Sequence, residues 1–136
     1  LVICKDSDAS VSHRLYILPN DAMAERWTGR RLTGVEAEDI YLGSRDKIVD
    51  FDHFCKKYSL SPDEVLYVGD DIPDIPVINA CGIGACPSDA TEEVKETCDF
   101  ISSKPGGRGC VREVVEKVMK TKGDWVFDVA GYKAKF

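Results

Sequence analysis

The sequence predicts an α/β domain with a parallel sheet and helices on both of its faces. Three observations lead there. Short apolar runs rich in β-branched residues punctuate the chain, as fully buried parallel strands do. The segments between them place apolar residues at steps of three and four, the spacing of one helix face. The 136 residues, 43% hydrophobic and 31% charged, suffice for a single domain, 1–136, with a modest core.

Taken in order, strands are expected at Leu1 to Cys4, Ile40 to Leu42, Val65 to Val68, Gly82 to Cys86 and Phe100 to Ile101. A helix is expected over Asp46 to Tyr58, where Ile48, Phe51, Cys55 and Tyr58 form one stripe while Asp50, Lys56 and Lys57 face water. A second runs from Asp89 to Thr97, with Asp89 as N-cap and Glu92 completing a capping box. The last covers about Arg108 to Lys122, apolar at Val111, Val114, Val115, Val118 and Met119, and stops at Gly123. Ala22 to Trp27 has helical character, but Pro19, Gly29 and Gly34 interrupt the stretch from 16 to 39. The tail 124–136 alternates Trp125, Phe127, Val129 and Tyr132, which suits an edge strand or docking on a neighbouring subunit. The chain opens on LVIC without a methionine, so an N-terminally truncated domain is expected.

A formal net charge of −6 argues against a surface for the nucleic-acid backbone, which needs clustered Lys and Arg. The six cysteines form no C-x-x-C pair, and His13 and His53 lie at no ligand spacing from them, so small reduced core residues are expected. No apolar run reaches the roughly 20 residues of a membrane span, and the start lacks a leader pattern. The cytoplasm is the expected location.

The stretch VGDDIPDIPVI crowds Asp70, Asp71 and Asp74 behind the apolar run LYV. In open α/β sheets, sites form beyond the carboxyl ends of the strands, and Asp70 is the first side chain to leave this one. Carboxylates gathered there repel one another unless a hard divalent cation, magnesium above all, is held between them. Equally, Asp70 and Asp71 suit helix capping, with Pro73 in the first turn and Asp74 at its positive end. Lys47, at the start of a helix that follows the strand-like YLG, is either a solvated helix lysine or a cation for phosphoryl oxygens beside the metal. In SSKPGGRG, residues 102–109, the glycines either form a plain turn, or Gly106, Gly107 and Arg108 offer N–H groups and a guanidinium fork to an anion.

YLGSRDK, YVGDDIPDIPVI, GIGACPSDA and SKPGGRGCVREVVEKV together resemble, in order and spacing over about residues 40 to 120, the haloacid dehalogenase (HAD) superfamily phosphatases of the 3-deoxy-D-manno-octulosonate 8-phosphate phosphatase type. The resemblance implies a Rossmann-like domain without a large cap. It further implies a homotetramer that hydrolyses the phosphate monoester of an acidic sugar with magnesium, as in lipopolysaccharide biosynthesis. Lys47 would steady the phosphoryl group, Asp70 would ligate the metal with Asp71 and Asp74 in support, and Arg108 would help form the substrate pocket.

The sequence departs from the family at its beginning. The nucleophile and general acid of the family come from D-x-D-G, which these 136 residues lack; Asp6-Ser7-Asp8 is followed by Ala9 and displaced from its strand by Lys5. LVIC is therefore expected to be the strand of the second motif, with Ser7 the nearest hydroxyl for a phosphoryl oxygen, or else the N-cap of a short helix through Arg14. Related domains fused to sialic-acid cytidylyltransferases are non-hydrolytic assembly modules, and the missing D-x-D-G makes such a module the alternative to an enzyme.

Overall fold

The structure, a computed structural model, describes residues 2–5, 13–16 and 46–123, the first two stretches as backbone. Among them five strands, β1 (Val2–Lys5), β2 (His13–Tyr16), β3 (Val65–Val68), β4 (Ile83–Cys86) and β5 (Phe100–Ile101), form one sheet in the order β2-β1-β3-β4-β5. The helices are α1 (Lys47–Lys57), α2 (Ile75–Ala80), α3 (Glu92–Thr97) and α4 (Cys110–Lys122).

All four residues of β3 are buried, because the strand is covered on both sides. Val65 and Tyr67 face a cluster with Phe51, Phe54 and Cys55 of α1, Val77 and Ile78 of α2, and Val94 of α3. Leu66 and Val68 face the other way, onto Ala85 and Val114, with Val115 and Val118 of α4 packed alongside. This strict alternation along one strand produces the helix-covered faces that the sequence predicts. Phe51 and Phe54 are fully buried, each worth about 1.5–3 kcal/mol of transfer free energy. Lys56 and Lys57 in the last turn of α1 complement its negative end.

β3, β4 and β5 are parallel as expected. The first strand is not. β1 pairs antiparallel with both β2 and β3, in the register Val2↔Tyr67 and Cys4↔Val65. Residues 6–12, between β1 and β2, are too few for the crossover of roughly a dozen residues that parallel pairing requires. Of the expected short helix through Arg14, the described part, His13 and Arg14, belongs to strand β2 instead.

Two helix starts also move. The helix expected from Asp89 begins at Glu92 with Thr91 as N-cap, since the Asp89 carboxylate accepts a hydrogen bond from Gly106 N instead. The last helix begins at Cys110 rather than Arg108, because Gly109 at φ 103° is left-handed and cannot belong to it; Gly123 ends it at φ 76° as expected. Ser7, the strand expected at Ile40 to Leu42, the helical stretch Ala22 to Trp27 and the tail 124–136 lie outside the described residues. Among those described, no helix is long and apolar enough to cross a membrane, and Cys55, Cys81, Cys86, Cys98 and Cys110 are free thiols.

Candidate functional site

Parallel pairing brings the carboxyl ends of β3, β4 and β5 to one rim, where three loops are stitched together. Gly69 N donates to Ala85 O at 3.0 Å, Thr91 N to Asp70 O at 3.1 Å, and Ser88 N to Lys104 O at 3.0 Å. Asp89 Oδ1 accepts from Gly106 N at 2.8 Å. Glu113, in the first turn of α4, accepts from Ser102 Oγ, from Ser103 N at 2.8 Å and from Ser103 Oγ at 2.8 Å. Loop 102–109 is thus clamped from both sides.

Asp74 is the hub of the rim. It is 1% exposed, and each carboxylate oxygen accepts two hydrogen bonds. Oδ1 takes Lys47 Nζ at 2.6 Å and Tyr67 OH at 2.6 Å; Oδ2 takes Asp70 N at 3.0 Å and Asp71 N at 3.2 Å. Burial alone would raise this carboxyl, but the bonds from Lys47 and Tyr67 outweigh it and hold it below the ordinary carboxylate range. Burial, then the charge of Asp74, push the Tyr67 phenol far up, so it stays a protonated donor. Gly69 makes this packing feasible, since a Cβ there would lie 2.4 Å from Asp74 Cβ.

Lys47 and Asp70 therefore converge on one rim, as the sequence predicts, joined through Asp74. The acidic cluster divides its labour. Asp74 has no lone pair left for a cation, and Asp71 caps the 3₁₀ turn Ile72–Asp74 by accepting from Ile72 N at 2.8 Å. This is the capping role that the sequence allows for Asp71, while the four hydrogen bonds of Asp74 make it an anchor of the rim. Asp70, like Asp71, is exposed; burial at the rim, then repulsion from Asp74, raise its carboxyl against the pull of Lys47. Among the described residues no group of three or more His, Cys, Asp or Glu side chains is placed to hold a metal. Two features of Asp70 nevertheless fit a hard cation. Its carboxylate is destabilised by burial at the rim and then by the charge of Asp74, and Thr91, whose N–H donates to the Asp70 carbonyl, has its buried Oγ1 unpartnered among the described residues.

Arg108 and its glycines are placed differently from the expectation. Gly106 N is occupied by Asp89 rather than offered to an anion, and Gly107 is left-handed at φ 69°. The exposed Arg108 lines a groove of about 560 Å³ along α4 with Lys104, Arg112, Glu113, Lys117 and Lys120, a groove that includes neither Lys47 nor Asp70. The antiparallel β1 ends beside Val65, at the rim opposite Asp70, so the second-motif position proposed for LVIC is not where that strand lies.

The sequence assigns no role to Tyr67 or Glu113, and gives Asp89 a helix cap in place of its bond to Gly106 N. Tyr67 carried a signal: a phenol inside a fully buried strand needs a hydrogen-bond partner. For Asp89 and Glu113 the partners are loop N–H and hydroxyl groups that only the tertiary fold supplies.

Comparison with known proteins bears on this rim. The family model of haloacid dehalogenase-like hydrolase matches residues 32–112, more than half of the chain. The 3-deoxy-D-manno-octulosonate 8-phosphate phosphatase of Escherichia coli (strain K12) is 33% identical over 84 residues, 62% of this chain and 45% of that protein. The cobalt-bound deoxy-D-mannose-octulosonate 8-phosphate phosphatase of Haemophilus influenzae superposes with a TM-score of 0.75 at 28% identity, covering 87% of this chain and 68% of that one. The 3-deoxy-D-manno-octulosonate 8-phosphate phosphatase of Moraxella catarrhalis, in complex with magnesium, phosphate and KDO, gives 0.70 at 27%, covering 78% and 61%. The chain spans about half the length of the curated relatives it matches, 45% and 57% of two of them.

Proposed function

Because the chain belongs to the haloacid dehalogenase-like hydrolases, we propose that it carries the Lys47 and Asp70 half of a magnesium-dependent phosphatase. Its substrate would be the phosphate monoester of an acidic sugar, of the 3-deoxy-D-manno-octulosonate 8-phosphate kind. The observation that carries this reading is the linkage of Lys47 to Asp70 through Asp74 at the carboxyl rim of a parallel sheet. In phosphoryl transfer, positioning and charge neutralisation do most of the catalytic work. Asp70 would hold the cation, which when bound neutralises phosphoryl oxygens. Lys47, held by Asp74, would face the same anion, and Arg108 on its clamped loop would meet the acidic end of the sugar. The nucleophile of this proposal is an aspartate of a D-x-D-G strand, which is not among the 136 residues.

The free thiols favour a reducing compartment, the cytoplasm. The proposal includes a homotetramer; the exposed Ile83 and Ile101 on neighbouring strands would suit contact with another copy.

The test is phosphate release by the full-length protein beside its Asp70→Ala variant, with 3-deoxy-D-manno-octulosonate 8-phosphate as substrate. Loss of activity in the variant is expected; equal activity in both removes Asp70 from the mechanism. A second reading is a non-hydrolytic assembly module of the kind fused to sialic-acid cytidylyltransferases, which needs no cation at this rim; among the described residues no group of three or more His, Cys, Asp or Glu side chains is placed to hold one. Magnesium titration of the chain separates the two, since the module has no binding at Asp70.

A further inference from the structure

The interior face of β3 holds a polar group that packing does not require. Tyr67 is 1% exposed, its neighbours in the cluster are Phe51, Phe54, Val65, Val77 and Ile78, and Phe would fill the same space. The hydroxyl has one described contact, 2.6 Å to Asp74 Oδ1. A buried hydroxyl without a partner would cost about 1–3 kcal/mol, so the pairing is obligatory for the phenol. What the carboxylate gains from it is orientation.

The terminal torsion of an aspartate is broad and roughly two-fold, so its carboxylate plane is set by donors rather than by rotamer preference. Two of the donors at Asp74 are rigid backbone N–H groups, and both act on Oδ2. Oδ1 has one flexible partner, Lys47 Nζ on its four-carbon stem, and one rigid partner, Tyr67 OH on a strand packed on both faces. Removing the rigid donor leaves the plane held at one end only. The Lys47 side chain is 10% exposed, so its ammonium depends on Asp74 in place of water.

We propose that Tyr67 is a positioning residue, whose hydroxyl fixes the plane of the Asp74 carboxylate and thereby sets where the Lys47 ammonium stands at the rim. The inference deepens the phosphatase reading and rests on it for its consequence, the placing of an anion.

The experiment uses the 136-residue chain, Tyr67→Phe, and Val65→Ala as a control that thins the same buried face without touching Asp74. Three quantities are read: the rate of reductive methylation of Lys47, followed by peptide mass; the magnesium affinity; and the affinity for inorganic phosphate at saturating magnesium, both by calorimetry. Tyr67→Phe should speed Lys47 methylation several-fold and weaken phosphate binding about three- to tenfold, with magnesium affinity unchanged within twofold. Val65→Ala should lower the melting temperature and leave the other readings alone. An unchanged Lys47 rate in Tyr67→Phe, or equal acceleration in Val65→Ala, overturns the positioning role. If the wild-type chain binds neither magnesium nor phosphate while Lys47 still responds to Tyr67→Phe, the phosphatase reading fails and the positioning of the lysine stands.

Discussion

Lys47 Nζ lies 2.6 Å from Asp74 Oδ1, and the two side chains keep only 10% and 2% of their exposure. Truncating one partner of such a buried pair strands the other, together with the Asp70 and Asp71 N–H groups that share the carboxylate. Asp74→Ala is therefore expected to cost about 3–5 kcal/mol, far more than loss of a solvent-screened surface pair such as Lys120 with Glu116. Urea denaturation of the two variants, Asp74→Ala and Glu116→Ala, measures the contrast.

Gly69 is dictated by close approach. An added Cβ would meet Asp74 Cβ at 2.4 Å and Cγ at 2.7 Å, and both atoms belong to a side chain pinned by four hydrogen bonds. Gly69→Ala should lose about 1–3 kcal/mol through overpacking. It should also shift the Lys47 resonances in an NMR spectrum, which a purely local clash would not do.

The loop clamp at Glu113 is expected to open in acid. Hydrogen bonds from Ser102 and then Ser103 hold the Glu113 carboxyl below the ordinary range. A carboxyl depressed in the folded state stabilises fully above its unfolded value of about 4.3, and that contribution is lost as pH falls through the lower folded value. The protection factor of Ser103 N, which donates to Glu113, should fall over that acidic window in the wild type. In Glu113→Gln the protection should be low already and nearly independent of pH.

Thiol chemistry offers an independent check on the core. Burial and then Asp52 push the Cys55 thiol up to about 11, and burial and then Cys86 push Cys98 up to about 12. Since the thiolate is the reactive form, neither should react with a disulfide reagent at neutral pH until the chain unfolds. Rapid modification of either in the native protein would mean the packing around α1 and α3 is looser than described.

Legibility in the sequence followed from how local each cause was. The stripe through Phe51 and Cys55 identified α1, although Phe54, fully buried beside them, was passed over. β3 was legible because four consecutive apolar residues need cover on both faces. The direction of β1 was not, since a strand's residue pattern is the same whichever way it runs. The start of α3 was misplaced because Asp89 caps nothing local and holds Gly106 across the rim instead. At the site, the convergence of Lys47 with the aspartates was legible from spacing. The division of labour among Asp70, Asp71 and Asp74 was not, because it depends on donors from Tyr67 and Lys47 that lie elsewhere in the chain.

The alternation along β3 carries a last consequence. Val65 and Tyr67 look one way, Leu66 and Val68 the other. A slip of a single residue against β4 would turn the phenol toward Val114 and put an aliphatic side chain under Asp74, leaving a hydroxyl stranded in hydrocarbon and an acid short of a donor. One oxygen atom thus penalises every odd misalignment of the central strand, and the same atom that serves the rim also checks that the sheet has been assembled in step.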